Sequence, residues 1–369
     1  MNTRTSAIAI PVLALLLGVC STSRWQDAGA QELPPQPSAT IVMDDTMGMQ
    51  GVPAPIPSVA DEMLLSEGDF FSPAFSPDYG MSCWPAWYVR GEALLISNET
   101  YDRVSLTRDF ELAPFAYEGG MRITAGRRRD CSDGWEVSYM GDLDWISEAE
   151  VTGENLSGSR LVSADGQVNL SAFSQANYQY QRYKSSLFSI EAHQRYYDWD
   201  TMTCLLGIRY LDLSESYDFL SQRPINEGVE TGLFQSRLQN RLIGPQAGVE
   251  MLHPIGATNM LTVSGRLKGG IYANIVNGRT QVINAEQIVL DNRANKVQVA
   301  GIFELGFNAH LQLTQRLSAH AGYELWYIPG VALAPAQRVS PMTFDTGNRI
   351  RSDREAWFHG LSLGGQYTW

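Results

Sequence analysis

Five histidines, a few cysteines and a scatter of carboxylates are the side chains of this sequence that could do chemistry. His193, His253, His310, His320 and His359 show no H-E-x-x-H pattern or other metal-ligand interval. No G-x-S-x-G elbow, phosphate-binding loop or dinucleotide fingerprint occurs, so the sequence calls for no cofactor. A hydrolase working at a loop cluster would gather His with Ser or Asp. The segments that read as long loops hold Asp102, Asp109, Asp345 and Asp353 but no His. The expectation is a protein that is not an enzyme. Cys83, Cys131 and Cys204 form no C-x-x-C pair, which argues against a thiolate metal site.

A second set of charges is more informative. Arg122, Glu136, Asp142, Arg209, Arg266, Lys268, Glu304 and Glu324 each stand between apolar neighbours, as do Asp144, Glu191, Arg195 and Glu250. They belong to long runs of period two, the mark of a strand with two different faces. In one run Val297, Val299, Phe303, Leu305, Phe307 and Leu311 alternate with Gln298, Ala300, Glu304, Asn308, His310 and Gln312. In another Leu261, Val263, Leu267 and Ile271 alternate with Thr262, Ser264, Lys268 and Tyr272. A soluble strand averages about five or six residues, whereas a tilted membrane strand needs about nine to eleven.

These runs predict ten strands, over 85–97, 115–127, 134–147, 180–197, 201–215, 236–252, 260–276, 297–313, 317–329 and 356–369. A further pair within 148–179, near Gln167 to Leu170, would make twelve. The connections alternate. Those at 128–133, 198–200, 253–259 and 314–316 are short, and those at 98–114, 148–179, 216–235, 277–296 and 330–355 are long. Short periplasmic turns and long outer loops characterise transmembrane antiparallel β-barrels, in which apolar side chains face lipid and polar ones line the interior. The eight alternating charges Arg122, Glu136, Asp142, Arg209, Arg266, Lys268, Glu304 and Glu324 are therefore expected to line the lumen. His193, His310 and His320 are expected on or near the same face. Pro245 fits poorly, because proline donates no ladder hydrogen bond; it predicts either a later strand start or a bulge.

The N-terminus reads as an export address. Arg4 precedes an apolar run from Ala7 to Val19, too short for a membrane helix, and Ala28-Gly29-Ala30 offers a cleavage site. Residues 1–30 are read as a signal peptide, with lipid attachment at Cys20 as an alternative. Residues 31–84 carry Pro34, Pro35, Pro37, Pro53, Pro55, Pro57, Pro73 and Pro77 without a sustained period, and read as a linker. Residues 85–369 are the barrel. The formal net charge of −13 excludes a nucleic-acid partner, since phosphate binding needs clustered Lys and Arg. The expected partners are membrane lipid, small hydrophilic solutes and the assembly machinery of the outer membrane; oligomeric state is left open.

Aromatic placement supports the membrane reading. Trp87, Trp135, Trp145, Trp199, Trp326, Trp357 and Trp369 fall at or near strand ends, with Tyr88, Tyr196, Tyr197, Tyr210, Tyr327 and Tyr367, as interfacial girdles do. Cys83 and Cys131 flank neighbouring strands on the short-turn side. A disulfide between them is one expectation and two separate thiols the other. Cys204, in phase with Leu206 and Ile208, is expected to be a free thiol facing lipid.

The opening Cys83-Trp84-Pro85-Ala86-Trp87-Tyr88-Val89-Arg90-Gly91-Glu92-Ala93-Leu94-Leu95 resembles the start of the beta-barrel porins of planctomycete bacteria. Gly119-Gly120-Met121-Arg122-Ile123, Gly134-Trp135-Glu136-Val137-Ser138-Tyr139, Leu206-Gly207-Ile208-Arg209-Tyr210 and Leu363-Gly364-Gly365-Gln366-Tyr367 fit the same pattern, and the resemblance covers about 85–369. It implies an outer-membrane barrel and carries no functional residues across. The terminal Trp369 also resembles the assembly signal of bacterial outer-membrane barrels. Three functions are compatible with these features: a porin-like channel for small hydrophilic solutes, a non-conducting barrel serving as scaffold or adhesin, and a soluble secreted β-protein.

Overall fold

Period-two patterning over such lengths commits the chain to strands, and a computed structural model shows ten of them among the described residues. The described residues are 86–99, 105–107, 110–129, 132–156, 161–199, 201–226, 228–256, 260–337 and 341–369. The signal peptide, the linker, Cys83 and Cys131 lie outside them. The strands are β1 (Ala86–Asn98), β2 (Glu118–Arg128), β3 (Asp133–Leu156), β4 (Ala176–Trp199), β5 (Met202–Ile225), β6 (Gly228–Ile255), β7 (Leu261–Asn284), β8 (Gln287–Gln312), β9 (Leu317–Val331) and β10 (Arg354–Thr368). Each pairs antiparallel with its sequence neighbours, and β1 pairs with β10 from Tyr88↔Thr368 to Asn98↔Phe358. The sheet therefore closes into a barrel and the ring has no free edge.

Both ends of the strand system and the short turns share one rim, the terminal rim. Toward the opposite, distal rim the strands differ in length. β3 to β8 run 24 to 28 residues, whereas β1, β2, β9 and β10 run 11 to 15. Above the closed ring, β3 to β8 continue as an open six-stranded sheet.

Two of the expected long loops are thus strand. Ile225 pairs with Gly228 across 216–235, and Asn284 pairs with Gln287 across 277–296. The second hairpin turns on Ala285 and Glu286, both at positive φ (49° and 65°), as a two-residue type I′ turn requires. Among the described residues no extra strand pair forms near Gln167. That stretch holds a 3₁₀ turn at Ser171–Phe173 and a single bridge from Ser163 to Met342.

β6 runs straight through Pro245 with neither a late start nor a register shift. Pro245 is paired with Ile208 on the β5 side, and the β7 ladder simply skips from Ile243↔Ala273 to Gln246↔Gly270. The missing N–H removes ladder bonds on one flank without displacing the strand.

A bulge does occur in β3. The register shifts between Met140 and Leu143, with Asp142 at φ 62°. Before it Glu136, Ser138 and Met140 point inward; after it Leu143, Trp145 and Ser147 do. The expected single phase from Trp135 to Trp145 is therefore broken, because one extra residue flips every later side chain to the other face.

Candidate functional site

The interior is layered. Nearest the terminal rim, alternate residues of every strand bring charged and polar side chains inward. Arg122 on β2 is the hub of one cluster. Its two Nη atoms grip Glu324 on β9 at 2.6 and 2.5 Å, and Nη1 also reaches Glu92 on β1 at 3.3 Å. Arg266 on β7 donates to the same Glu324 at 2.9 Å, and His320 lies 2.9 Å from Glu92. Gly364 faces this cluster. A Cβ there would run into the Gly91 carbonyl oxygen of β1 and sit 2.9 Å from both Glu92 and His320, so glycine is what lets β1 and the pair come this close.

A second cluster is centred on Lys268. Its Nζ lies 2.9 Å from each Glu191 carboxylate oxygen and 2.8 Å from Glu304 Oε2, while Arg209 donates to Glu304 Oε1 at 2.8 Å. Gln246 donates to Glu191 at 3.0 Å and accepts from the Tyr272 hydroxyl at 2.9 Å. In a third cluster Arg195 joins Glu136 at 2.8 Å to Glu250 at 2.5 Å, and the Tyr88 hydroxyl donates to Glu136 at 2.8 Å.

Some of these bonds follow the wall, as Arg122–Glu92, Lys268–Glu304 and Arg195–Glu136 do between neighbouring strands, but three cross the interior. Arg122–Glu324, Arg209–Glu304 and Lys268–Glu191 each join strands three places apart around the ring. Arg90, Arg122, Arg195, Arg209, Arg266 and Lys268 are matched in number by Glu92, Glu136, Glu191, Glu250, Glu304 and Glu324. The belt is therefore balanced although the chain carries −13. Pairing is what allows the charges to be inside at all. Removing one partner of a buried pair costs about 3–5 kcal/mol.

Distal to the belt the interior becomes largely apolar, with hydrogen-bonded polar side chains such as Asn98–Ser185 and Asn274–Asn240 set into it. Leu94, Ile96, Leu143, Trp145, Trp326 and Phe358 are buried there against Leu333 and Ala336 of the β9–β10 connection. Glu304 is 4%, Glu324 1%, Trp326 2% and Tyr272 1% exposed. A water-filled bore at this level would leave them accessible. Further out, loop residues Leu161, Phe173 and Met342 pack on Phe219, Phe234 and Val276 of the raised sheet.

Of the charges expected in the lumen, Arg122, Glu136, Arg209, Arg266, Lys268, Glu304 and Glu324 point inward. Asp142 does not. It sits exposed on the outer face at the bulge, and Asp144 follows it outward. Trp145, Trp326 and Tyr88, expected in the girdles, are buried inside. Other aromatics do ring the outside. At the terminal rim Trp87 meets Trp135 at 5.5 Å and Tyr367 meets Trp369 at 5.9 Å, while distally Tyr327 meets Trp357 at 4.3 Å. Cys204 shares the outward phase of Leu206 and Ile208 but is covered, at 6% exposure. Glu92, Tyr88 and Gln246 were not expected in the belt. Glu92 precedes an Ala93–Ile96 run that is apolar on both faces and hides the phase.

No protein-family model and no characterised protein matches the sequence. Solved structures resemble the fold at low identity. The outer membrane protease OmpT from Escherichia coli is 8% identical over 80% of this chain and 100% of its own, with a TM-score of 0.35. The translocator domain of the autotransporter NalP from Neisseria meningitidis is 9% identical over 78% of this chain and 89% of its own, with a TM-score of 0.35. A major outer membrane protein from Thermus thermophilus is 10% identical over 77% of this chain and 99% of its own, with a TM-score of 0.28. At these values the likeness carries no function across, and the barrel stands on its own strand pairing.

Proposed function

We propose that the chain is an outer-membrane β-barrel whose interior is closed, a membrane-embedded base that carries the raised β3–β8 sheet beyond the bilayer. The observation behind the closed state is the set of ion pairs that cross the interior from Arg122, Arg209 and Lys268, roofed by the Trp145–Trp326 layer. The membrane reading rests on the outer face. Val299 is 73%, Val297 70% and Leu363 65% exposed, within a band that circles the barrel. Soluble proteins seldom expose contiguous apolar patches beyond a few hundred Å². On β10 the band runs from Trp357 to Trp369. Twelve steps of ~3.3 Å at ~45° tilt rise about 28 Å, close to the ~25 Å apolar band of such barrels. The phase of the planctomycete-like segments is in keeping with this location.

A porin-like channel for small hydrophilic solutes is the second reading, favoured by the polar lining of the terminal half. Planar-bilayer recording separates the two. The closed barrel is expected to give no steady conductance from folded, heat-modifiable protein. Stable unit steps from the wild type would replace it with the channel.

A further inference from the structure

Outside the barrel, just beyond the apolar band, four basic residues stand abreast. Lys184 pairs with Ser216, Ser216 with Arg237, Arg237 with Arg279 and Arg279 with Arg293, a continuous register across β4 to β8. All five are in the outward phase of their strands. Like charges directly opposite one another on a sheet repel, so the row is unfavourable without a counter-charge. The protein supplies part of one. Asp291 binds Arg279 at 2.7 Å and Asp144 lies 3.7 Å from Lys184. Arg237 and Arg293 make no ion pair among the described residues, although Asp218 and Asp291 feel them through space.

The row next toward the band is polar and uncharged: Ser186, Ser214, Gln239, Asn277 and Asn295, again in register. Together the two rows line an open groove of about 660 Å³ on the outer wall. Below it the wall becomes apolar at Phe188, Ile275 and Val297, with the Arg241–Asp212 ion pair (3.6 Å) between them in the same register, and at Ile243 one row further on. Lys184, Arg279 and Arg293 each lie four residues beyond the last of these on their own strand, and Arg237 six. Four residues at ~3.3 Å and ~45° tilt rise about 9 Å, which places the cations at headgroup depth.

We infer that this groove binds the phosphate-bearing headgroup of an anionic lipid in the leaflet that faces the raised sheet. The guanidinium forks of Arg237 and Arg293, which make no ion pair among the described residues, hold the phosphate, while Arg279, whose Nε and Nη2 already bind Asp291, adds its remaining donors and its charge. The Ser, Gln and Asn row hydrogen-bonds the hydroxyls or sugar nearer the acyl chains. Those chains lie along Ile243, Ile275 and Val297. A free phosphate would use the basic row alone; the polar row and the apolar wall beneath it fit an amphiphile. The inference rests on the membrane reading.

The test compares wild type with the triple variant Arg237→Gln, Arg279→Gln, Arg293→Gln in nanodiscs of phosphatidylcholine containing about a tenth of a diphosphorylated glucosamine lipid. Bound lipid is counted by native mass spectrometry after release into detergent. Wild type is expected to retain the phosphorylated lipid selectively over phosphatidylcholine, and the variant to retain at least tenfold less. Equal retention by both proteins overturns the inference. So does displacement of the lipid by millimolar inorganic phosphate, which would mark a simple anion site. Should the triple variant fail to show heat-modifiable folding, the single Arg293→Gln carries the test, with an expected loss of about threefold; no loss overturns it. Failure of wild type to enter nanodiscs at all would instead strike the membrane reading itself.

Discussion

The closed ring and the raised sheet are made of the same strands yet have opposite polarity. Low on β8, Glu304 points in while Val299, Leu305 and Phe307 point out; high on β8, Leu290 points in while Asp291, Arg293 and Asn295 point out. β6 inverts in the same way, from inward Glu250 and outward Met251 to inward Phe234 and outward Arg237. The inward–outward phase of each strand holds while the chemistry exchanges faces. On the proposed membrane reading, what changes along the strand is the medium outside it, lipid for the ring and water for the sheet. The upper sheet buries an apolar cluster under its loops, interleaved with Gln181, Glu215, Asn240 and Asn284, whose side chains hydrogen-bond the loop backbone. The ring turns its apolar side chains outward and settles its polar groups within.

The comparison can be broken most forcefully from inside the ring. Glu324→Ala leaves Arg122 and Arg266 buried without their shared carboxylate. It is expected to cost about 3–5 kcal/mol in denaturant unfolding from detergent or lipid. Arg293→Gln on the sheet's outer face is expected to stay within about 0.5 kcal/mol. Equal effects would mean that the belt contributes no more than a solvated surface.

The outer face gives the next largest contrast. Leu305→Arg, midway along the apolar band of β8, is expected to cost about 2–4 kcal/mol in lipid. Gln281→Arg, on the outer face of the raised sheet, is expected to change little in the same assay. If the two substitutions cost the same, one medium surrounds both regions.

Turn chemistry sharpens the picture at smaller amplitude. Ala285 and Glu286 occupy left-handed conformations that cost an L-residue about 1–2 kcal/mol each. Replacing the pair by Asn-Gly is expected to stabilise the β7–β8 hairpin by about 1 kcal/mol, read as slower amide exchange in 277–296. Unchanged exchange would contradict that turn geometry.

Much of this fold was legible because the ring obeys one rule. The terminal ends of the strands fall within about three residues of those read from the alternation, since there the apolar phase starts cleanly at each turn. The distal ends were misread for a physical reason. Where the medium changes, as at Asn295 and Gln235, the outward phase becomes polar and a strand looks like a loop. The Ala285-Glu286 turn lacks the Asn-Gly or Asp-Gly signal that would have announced a hairpin. Asp142 shows a third limit, because a bulge leaves no mark in composition yet sends Leu143 and Trp145 inside. Of the belt, the isolated charges were visible, but their partners across the barrel were not. Nothing local links Arg122 to Glu324 or Lys268 to Glu191; closure of the ring brings them together.

The inversion of polarity along the strands is tested most directly with a photoreactive label confined to the bilayer interior, mapped by mass spectrometry on the reconstituted full chain. The label is expected on Val299, Leu305, Phe307 and Leu363 and absent from Gln281, Arg293 and Leu290. Label spread equally over both groups, or missing from the first, would contradict it.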